Sequence, residues 1–200
     1  MKNVARLREF VVSMTGLAER QGDDELAMLR DGGKLLGALI AHDDWLPEMF
    51  AAPHLAHYQE FLLYCDPLER FSVVSLALGP NQRTPIHEHT VWCLIGVIRG
   101  TVHFDEYRHE GVGVALRKTG EHLGQAGDID AVSPTVGDIH VMSNALRDQA
   151  AVSIHAFGGN IGAIERRAYN LATGEPHVFR SGYANSVVPN LWDRSLEVHA

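Results

Sequence analysis

The chain has 200 residues, of which 46% are hydrophobic and 21% charged, with 19 Gly and 8 Pro. That composition excludes fibrous, collagenous and disordered classes and suits one compact unit. A formal net charge of -8, with no basic run longer than Arg166-Arg167, speaks against a nucleic-acid binder, because phosphate binding needs a local excess of cations. Two cysteines, Cys65 and Cys93, cannot build a disulfide framework. The N-terminus has no apolar signal core and there is no long apolar run, so the expectation is a cytoplasmic protein that spans no membrane.

The first third reads as helical. Val4, Leu7, Phe10, Val11, Met14 and Leu17 recur at three- and four-residue steps between charged residues, which predicts an amphipathic helix. Leu26, Leu29, Leu35, Leu36 and Ile40 predict a second, interrupted or kinked near Gly32-Gly33, and residues from about Leu55 to Leu63 a third, shorter one.

From Arg70 onward the pattern changes to period two with Gly/Pro punctuation. Strands are predicted from Phe71 to Leu78, Val91 to Ile98, Thr101 to Tyr107, Val112 to Lys118, Glu121 to Gln125, Ile129 to Ser133, His140 to Ser143 and Val152 to Phe157. Turn signals separate them, among them Gly79-Pro80-Asn81, Gly100, Gly120, Gly127-Asp128 and Gly137-Asp138. Many short strands at close spacing argue for a sandwich or barrel that closes on itself. The last 40 residues read as irregular structure wrapped on that barrel. The organisation is therefore a single domain with a mostly helical segment over 1–65, a barrel core over 66–160 and a C-terminal wrap over 161–200.

The chemistry-bearing residues lie in the strand region. His87 and His89 flank Glu88, and on an extended backbone alternate side chains share a face, so both imidazoles project together while Glu88 points away. That is chelate geometry, yet an isolated His-x-His is compatible with two ordinary histidines near a turn. Downstream, Gly127, Pro134, Gly137, His140 and Asn144 follow in order, with Asn144 shaping the turn beside His140. Among the other histidines, His103, His109, His122 and His177 have no partners at ligand spacing and read as structural or exposed. Trp92 reads as core.

The two histidine-anchored segments resemble the two motifs of the cupin family. His87, His89 and Gly100 fall in register with the first, and Gly137, His140 and Asn144 with the second. The resemblance implies an all-β core, a double-stranded β-helix (jelly-roll) barrel with an N-terminal helical segment, and a divalent metal on His87, His89 and His140. The acidic ligand position of the first motif holds Cys93. Cys93 is open to two roles, fourth ligand or small buried hydrophobe. Three neutral imidazoles leave an ion electrophilic and with open positions, which favours a catalyst over a store.

A three-histidine cupin without the carboxylate is similar to the thiol dioxygenases. The run from Cys65 to Val74, and that from Thr84 to Gly96, most resemble the bacterial 3-mercaptopropionate dioxygenase branch. That resemblance implies Fe(2+), with a small thiol carboxylate and O2 as partners and a sulfinate as product. It implies a hydrogen-bonded pair from Ser153 and His155, with Phe157 standing where the family has a tyrosine. It also implies Arg166 as an anchor for the substrate carboxylate. The region matching the arginine of the cysteine-specific branch, Tyr64-Cys65-Asp66, offers no cation, which turns the expected preference toward 3-mercaptopropionate over cysteine. Gln59 and Tyr64 are weaker candidates for polar contacts. Two other readings stay open: a three-histidine cupin dioxygenase acting on a carbon substrate such as a β-diketone, and a metal-binding cupin without turnover.

Overall fold

A computed structural model describes residues 3–22 and 24–194. Two helices open the chain. α1 (Ala5–Gln21) buries Leu7, Phe10, Val11, Met14 and Leu17, the stripe read in the sequence. α2 (Glu25–Ile40) starts at Asp24, whose carboxylate accepts from the backbone N–H of Ala27 at 3.0 Å. It runs unbroken through Gly32-Gly33, where the sequence predicts a kink. These glycines serve close packing instead: a Cβ on Gly32 would stand 2.9 Å from Leu94 Cδ1, and one on Gly96 would stand 2.9 Å from Ile40 Cδ1. Leu94 and Gly96 belong to β3 (Cys93–Arg99), so helix and strand meet nearly backbone to backbone.

The helix predicted over Leu55 to Leu63 is instead a strand, β1 (Gln59–Cys65), so the helical segment ends well before residue 65. Its apolar residues sort by alternation: Phe61 and Leu63 turn to the helices, Tyr58 and Leu62 to the barrel. What decides strand over helix is pairing with β2 (Ser72–Leu78), reached through a turn in which buried Asp66 accepts two bonds from the Arg70 guanidinium, each 2.8 Å.

The first sheet runs β1-β2-β8-β3-β6, with β8 (Ala151–Phe157) central and β6 (Ile129–Val132) at one edge. Both faces of β2 and β8 are buried. Val73, Ala77, Val152, Ile154 and Ala156 face the helices, while Val74, Leu76, Leu78 and Phe157 face the barrel interior. A continuous apolar strand of this kind lacks the polar-out alternation of an ordinary antiparallel sheet.

The opposite sheet runs β5-β4-β7, from β5 (Arg117–Gln125), β4 (Thr101–Arg108) and β7 (Ile139–Asn144). The two strands predicted over Val112 to Lys118 and Glu121 to Gln125 are largely one. β5 continues through Gly120 by an irregularity in register, Glu106 opposite Gly120 and Tyr107 opposite Lys118. Residues 112–116 form a turn tied by Gly113 N to Thr173 O and Leu116 N to Leu171 O.

The C-terminal region read as irregular contains a hairpin, β9 (Arg166–Tyr169) and β10 (Pro176–Phe179). Residues 83–87 stitch it to the barrel: Arg83 lies opposite Ser143, and His87 lies between His140 on one side and Ala168 on the other. The result is a double-stranded β-helix, two facing layers with the helices packed outside one of them. Among the described residues no helix is long and apolar enough to cross a membrane.

Candidate metal centre

His87 and His140 face each other as a hydrogen-bonded antiparallel pair, His87 N to His140 O at 3.1 Å and His140 N to His87 O at 3.0 Å. That pairing brings a loop histidine and a β7 histidine to one level. His89 joins them because its backbone is pinned: Asp138 accepts from His89 N at 2.9 Å and from Thr90 N at 2.8 Å, while Thr90 adopts φ 63°. Glu88 turns outward, as alternation requires, and meets Arg167 Nη1 at 2.9 Å and the Tyr169 hydroxyl.

The three imidazoles converge. Ring centroids lie 5.0 Å (His87–His89), 4.9 Å (His87–His140) and 4.7 Å (His89–His140) apart, and the two Nε2 atoms of His87 and His89 are 3.1 Å apart. All three side chains are buried. His87 Nδ1 lies 3.0 Å from the Pro85 carbonyl, a contact that places the proton on Nδ1 and leaves the Nε2 lone pair for a ligand role. His89 Nδ1 and both nitrogens of His140 are buried without a hydrogen-bond partner. Orphaned buried imidazole nitrogens are costly unless something coordinates them, so this group fits a divalent cation.

Burial keeps these rings neutral. It drives His87 down to about 4, with the Arg166 charge adding to the shift, and it drives His89 and His140 well below the usual histidine range. Neutral imidazole is the form that binds metal.

β8 delivers the next layer. Ser153, His155 and Phe157 share its inward face, and Ser153 Oγ lies 2.8 Å from His155 Nε2, the predicted pair. Burial holds His155 at about 3. Phe157 stacks on His155 (centroids 5.5 Å, 21°) and makes a T-shaped contact with His89 (5.1 Å, 74°). Cys93 sits opposite Phe157 in the sheet, fully buried, its Sγ 3.9 Å from His155 Nδ1. Burial pushes this thiol far up, and its sulfur is outside the converging group of three histidines. Of the two roles open to it, the buried thiol is the one these contacts describe.

Arg166 is 1% exposed. It lies on β9 directly opposite Phe179, with Cζ 4.8 Å from that ring's centroid, and Nη2 donates to Ser181 Oγ at 2.7 Å. Its Nε is buried without a partner. The Phe179 ring is in turn 6.4 Å from His87, and the guanidinium is near enough for its charge to act on all three histidines. A cleft of about 580 Å³ opens here, lined by Tyr58, Gln59, Glu60, Pro85, Phe179 and Ser181 among others. Pro85 and Ala168, both in contact with His87, also line it.

Two residues go unremarked in the sequence. Asp138 appears there only as part of a turn signal, although a carboxylate two residues before a ligand histidine is a recognisable clamp for the facing loop. Glu60 is hidden by the helical reading of its segment. Of the weaker candidates, Gln59 reaches the cleft, whereas Tyr64 packs on Phe71 at 5.7 Å. Asn144 donates to Leu78 O and Gln149 O and shapes the turn after β7. Trp92 packs against the core on the helical side.

Among the remaining histidines, His109 contacts Gly174 O at 2.9 Å, His122 lies 3.3 Å from Asp130, and His177 is exposed at the cleft mouth. His103 has neighbours that spacing alone does not reveal, Asp105 on its own strand and Glu121 across the ladder. The Lys118 ammonium already bridges those two carboxylates, so that surface cluster carries its own cation.

No protein-family model matches the chain. Solved structures align over part of it. TT1209 from Thermus thermophilus is 17% identical with a TM-score of 0.43, over 56% of this chain and 92% of that one. A double-stranded β-helix protein from Klebsiella pneumoniae is 18% identical with a TM-score of 0.45, over 56% and 87%. An RmlC-like cupin protein from Ralstonia eutropha is 13% identical with a TM-score of 0.42, over 65% and 72%.

Proposed function

We propose that the protein is an Fe(2+)-dependent thiol dioxygenase that converts a small mercaptocarboxylate, such as 3-mercaptopropionate, to its sulfinate. The observation that carries this reading is Arg166: a buried guanidinium with an unpartnered Nε beside three neutral, metal-ready imidazoles. A buried cation with no direct ion pair among the described residues favours an anionic ligand, and guanidinium and carboxylate match through two parallel hydrogen bonds. A neutral β-diketone would leave that charge unanswered.

Bound by His87, His89 and His140, ferrous iron would supply positions for thiolate and dioxygen and the electrons exchanged between them. The chain's own residues do the rest. Arg166 fixes the carboxylate end and thereby aims the sulfur toward the histidines. Ser153 and His155 hold a fixed hydrogen-bonded pair behind Phe157. The apolar rings of Phe157 and Phe179 keep bulk water from the space between them. The balance is thiolate plus O2 giving sulfinate: two S–O bonds form, the O–O bond breaks, and sulfur loses the four electrons that oxygen gains.

Oxygen consumption by anaerobically iron-loaded protein, followed by product mass, tests this. Uptake with a mercaptocarboxylate and a product heavier by two oxygens is expected. No uptake across 3-mercaptopropionate, cysteine, cysteamine and mercaptosuccinate sinks the reading. Uptake with a β-diketone alone would identify a carbon dioxygenase, and metal binding with neither would identify a cupin without turnover.

A further inference from the structure

Glu60 has a place in this site that the mechanism above does not use. On β1 it pairs with Leu76, Leu76 pairs with Ser153 on β8, and Ser153 pairs with Val97 on β3. Leu76 and Val97 point into the barrel, and so do Tyr58 and Leu62 on either side of Glu60. By alternation the Glu60 carboxylate is an inward group, one row from His155, whose own row is Leu62, Val74 and Ile95. It lines the cleft beside Ser181, Phe179 and Pro85.

Its relation to Arg166 is unusual. The two charges are close enough for the guanidinium to oppose the rise that burial imposes on the Glu60 carboxyl, and the Ser181 hydroxyl that accepts from Arg166 also favours the ionised Glu60. Yet among the described residues Arg166 forms no direct ion pair with any carboxylate, and its Nε remains without a partner. A half-buried carboxylate and a buried guanidinium that were there only to neutralise each other would close into a hydrogen-bonded pair, since separation costs both of them. Glu60 and Ser181 line one cleft, and the buried Arg166 stands behind Ser181, so a negative group and a positive one serve the same space.

We propose that Glu60 is a specificity-determining residue that receives a substrate ammonium while Arg166 receives the carboxylate, so that the site selects thiols carrying both charges over those carrying a carboxylate alone. This rests on the thiol dioxygenase reading for its substrate class and reverses the preference for 3-mercaptopropionate over cysteine that the resemblance implies. A thiol with only a carboxylate satisfies Arg166 but brings a second negative charge toward Glu60. A zwitterionic thiol answers both groups, and each contact is charge-assisted.

The test is anaerobic calorimetric titration of the ferrous protein with cysteine, homocysteine, 3-mercaptopropionate and cysteamine, in the wild type and in Glu60→Gln, which keeps size and polarity but not charge. In the wild type, cysteine or homocysteine should bind more tightly than 3-mercaptopropionate. In Glu60→Gln that preference should fall by roughly tenfold or more, chiefly because 3-mercaptopropionate gains. If Glu60 served only to offset Arg166, all carboxylate-bearing thiols would gain together and their ratio would stay fixed. An unchanged ratio therefore overturns the proposal, as does a wild type that binds 3-mercaptopropionate as tightly as the zwitterions. The wild-type comparison decides even if the variant folds poorly, which a melting curve reports. Because no oxygen is present, the outcome is separate from turnover: failure of oxygen uptake would sink the dioxygenase reading and leave these affinities to judge Glu60. Absence of binding by all four thiols would sink both.

Discussion

Replacing Arg166 by Met separates what the guanidinium does for the fold from what it does for a ligand. The side chain is 1% exposed, so the full cost of burying its charge falls on the folded state. Losing it removes one charge-assisted bond to Ser181, about 1.5–3 kcal/mol, and the contact with Phe179, about 0.5–2 kcal/mol. Against this, an unpaired Nε disappears, worth about 1–3 kcal/mol, together with a desolvation cost of several kcal/mol. The opposing contributions nearly cancel, and a methionine of similar length refills the space above Phe179. The melting temperature should therefore stay within about 5 °C of wild type, given about 2–4 °C per kcal/mol for a chain of this size.

Function should respond very differently. A carboxylate loses two parallel charge-assisted hydrogen bonds, for which about 3 kcal/mol is a modest figure, and kcat/KM for a mercaptocarboxylate should drop at least about a hundredfold. Cysteamine, which has no carboxylate, should be affected little. Calorimetric melting and oxygen-electrode kinetics on the iron-loaded proteins read the two arms. A fall of more than about 10 °C in melting temperature, or equal losses with cysteamine and 3-mercaptopropionate, would refute the assignment and make Arg166 a structural residue.

His140→Ala should abolish stoichiometric iron, read by elemental analysis after anaerobic loading, and full metal content in that variant would remove His140 from the ligand set. The metal-free protein should lose stability as pH falls below about 6.5, the ordinary histidine value, because the unfolded chain takes up protons there while His87 stays neutral down to about 4 and His155 down to about 3. The slope is about 1.4 kcal/mol per pH unit for each such ring, and urea midpoints that stay flat between pH 6.5 and 4 would contradict it. Phe157→Tyr puts a hydroxyl on the ring that contacts both His89 and His155 and should raise the rate of thiol oxidation. An unchanged rate would show that no phenol is needed there. Gly96→Val drives a side chain into Ile40 and Leu36, with the Cβ at 2.9 and 3.1 Å from them, and should destabilise by about 1–3 kcal/mol. A melting temperature equal to wild type would mean that α2 does not press on β3 as described.

The parts of the site that are legible in the sequence are those whose geometry is local. His87 and His89 two apart, and Ser153, His155 and Phe157 on alternate positions of β8, share a face on any extended backbone, so spacing alone carries them. Gly137 and His140 belong to one turn and the strand after it. Asp138 escapes notice because its partners, His89 and Thr90, are 49 and 48 residues away. Glu60 is lost for a different reason. Phe61, Leu62 and Leu63 in a row suit a helix as well as a strand buried on both faces, and only the ladder with β2 settles which. The barrel strands read well because turn glycines bound them. The β9–β10 hairpin does not, since Arg166 to Tyr169 is a short strand of mixed polarity held by its pairing.

The position of Arg166 also explains why four histidines can share one buried space. Burial is the first cause that keeps His87, His89, His140 and His155 unprotonated, and the Arg166 charge adds to it at every one of them. A protonated imidazole beside a fixed guanidinium would place two like charges in a dry interior, so the ring gives up its proton and offers a lone pair. The cation that adds to burial in keeping the histidines neutral is then the same one that calls for an anion, the more so once a bound metal raises the local positive charge. A ligand that brings a thiolate to the metal and a carboxylate to Arg166 answers both charges. Glu60 sets how much negative charge the ligand can bring without penalty, which is why removing the charge of that one side chain should change the preferred thiol while leaving the three histidines able to hold their ion.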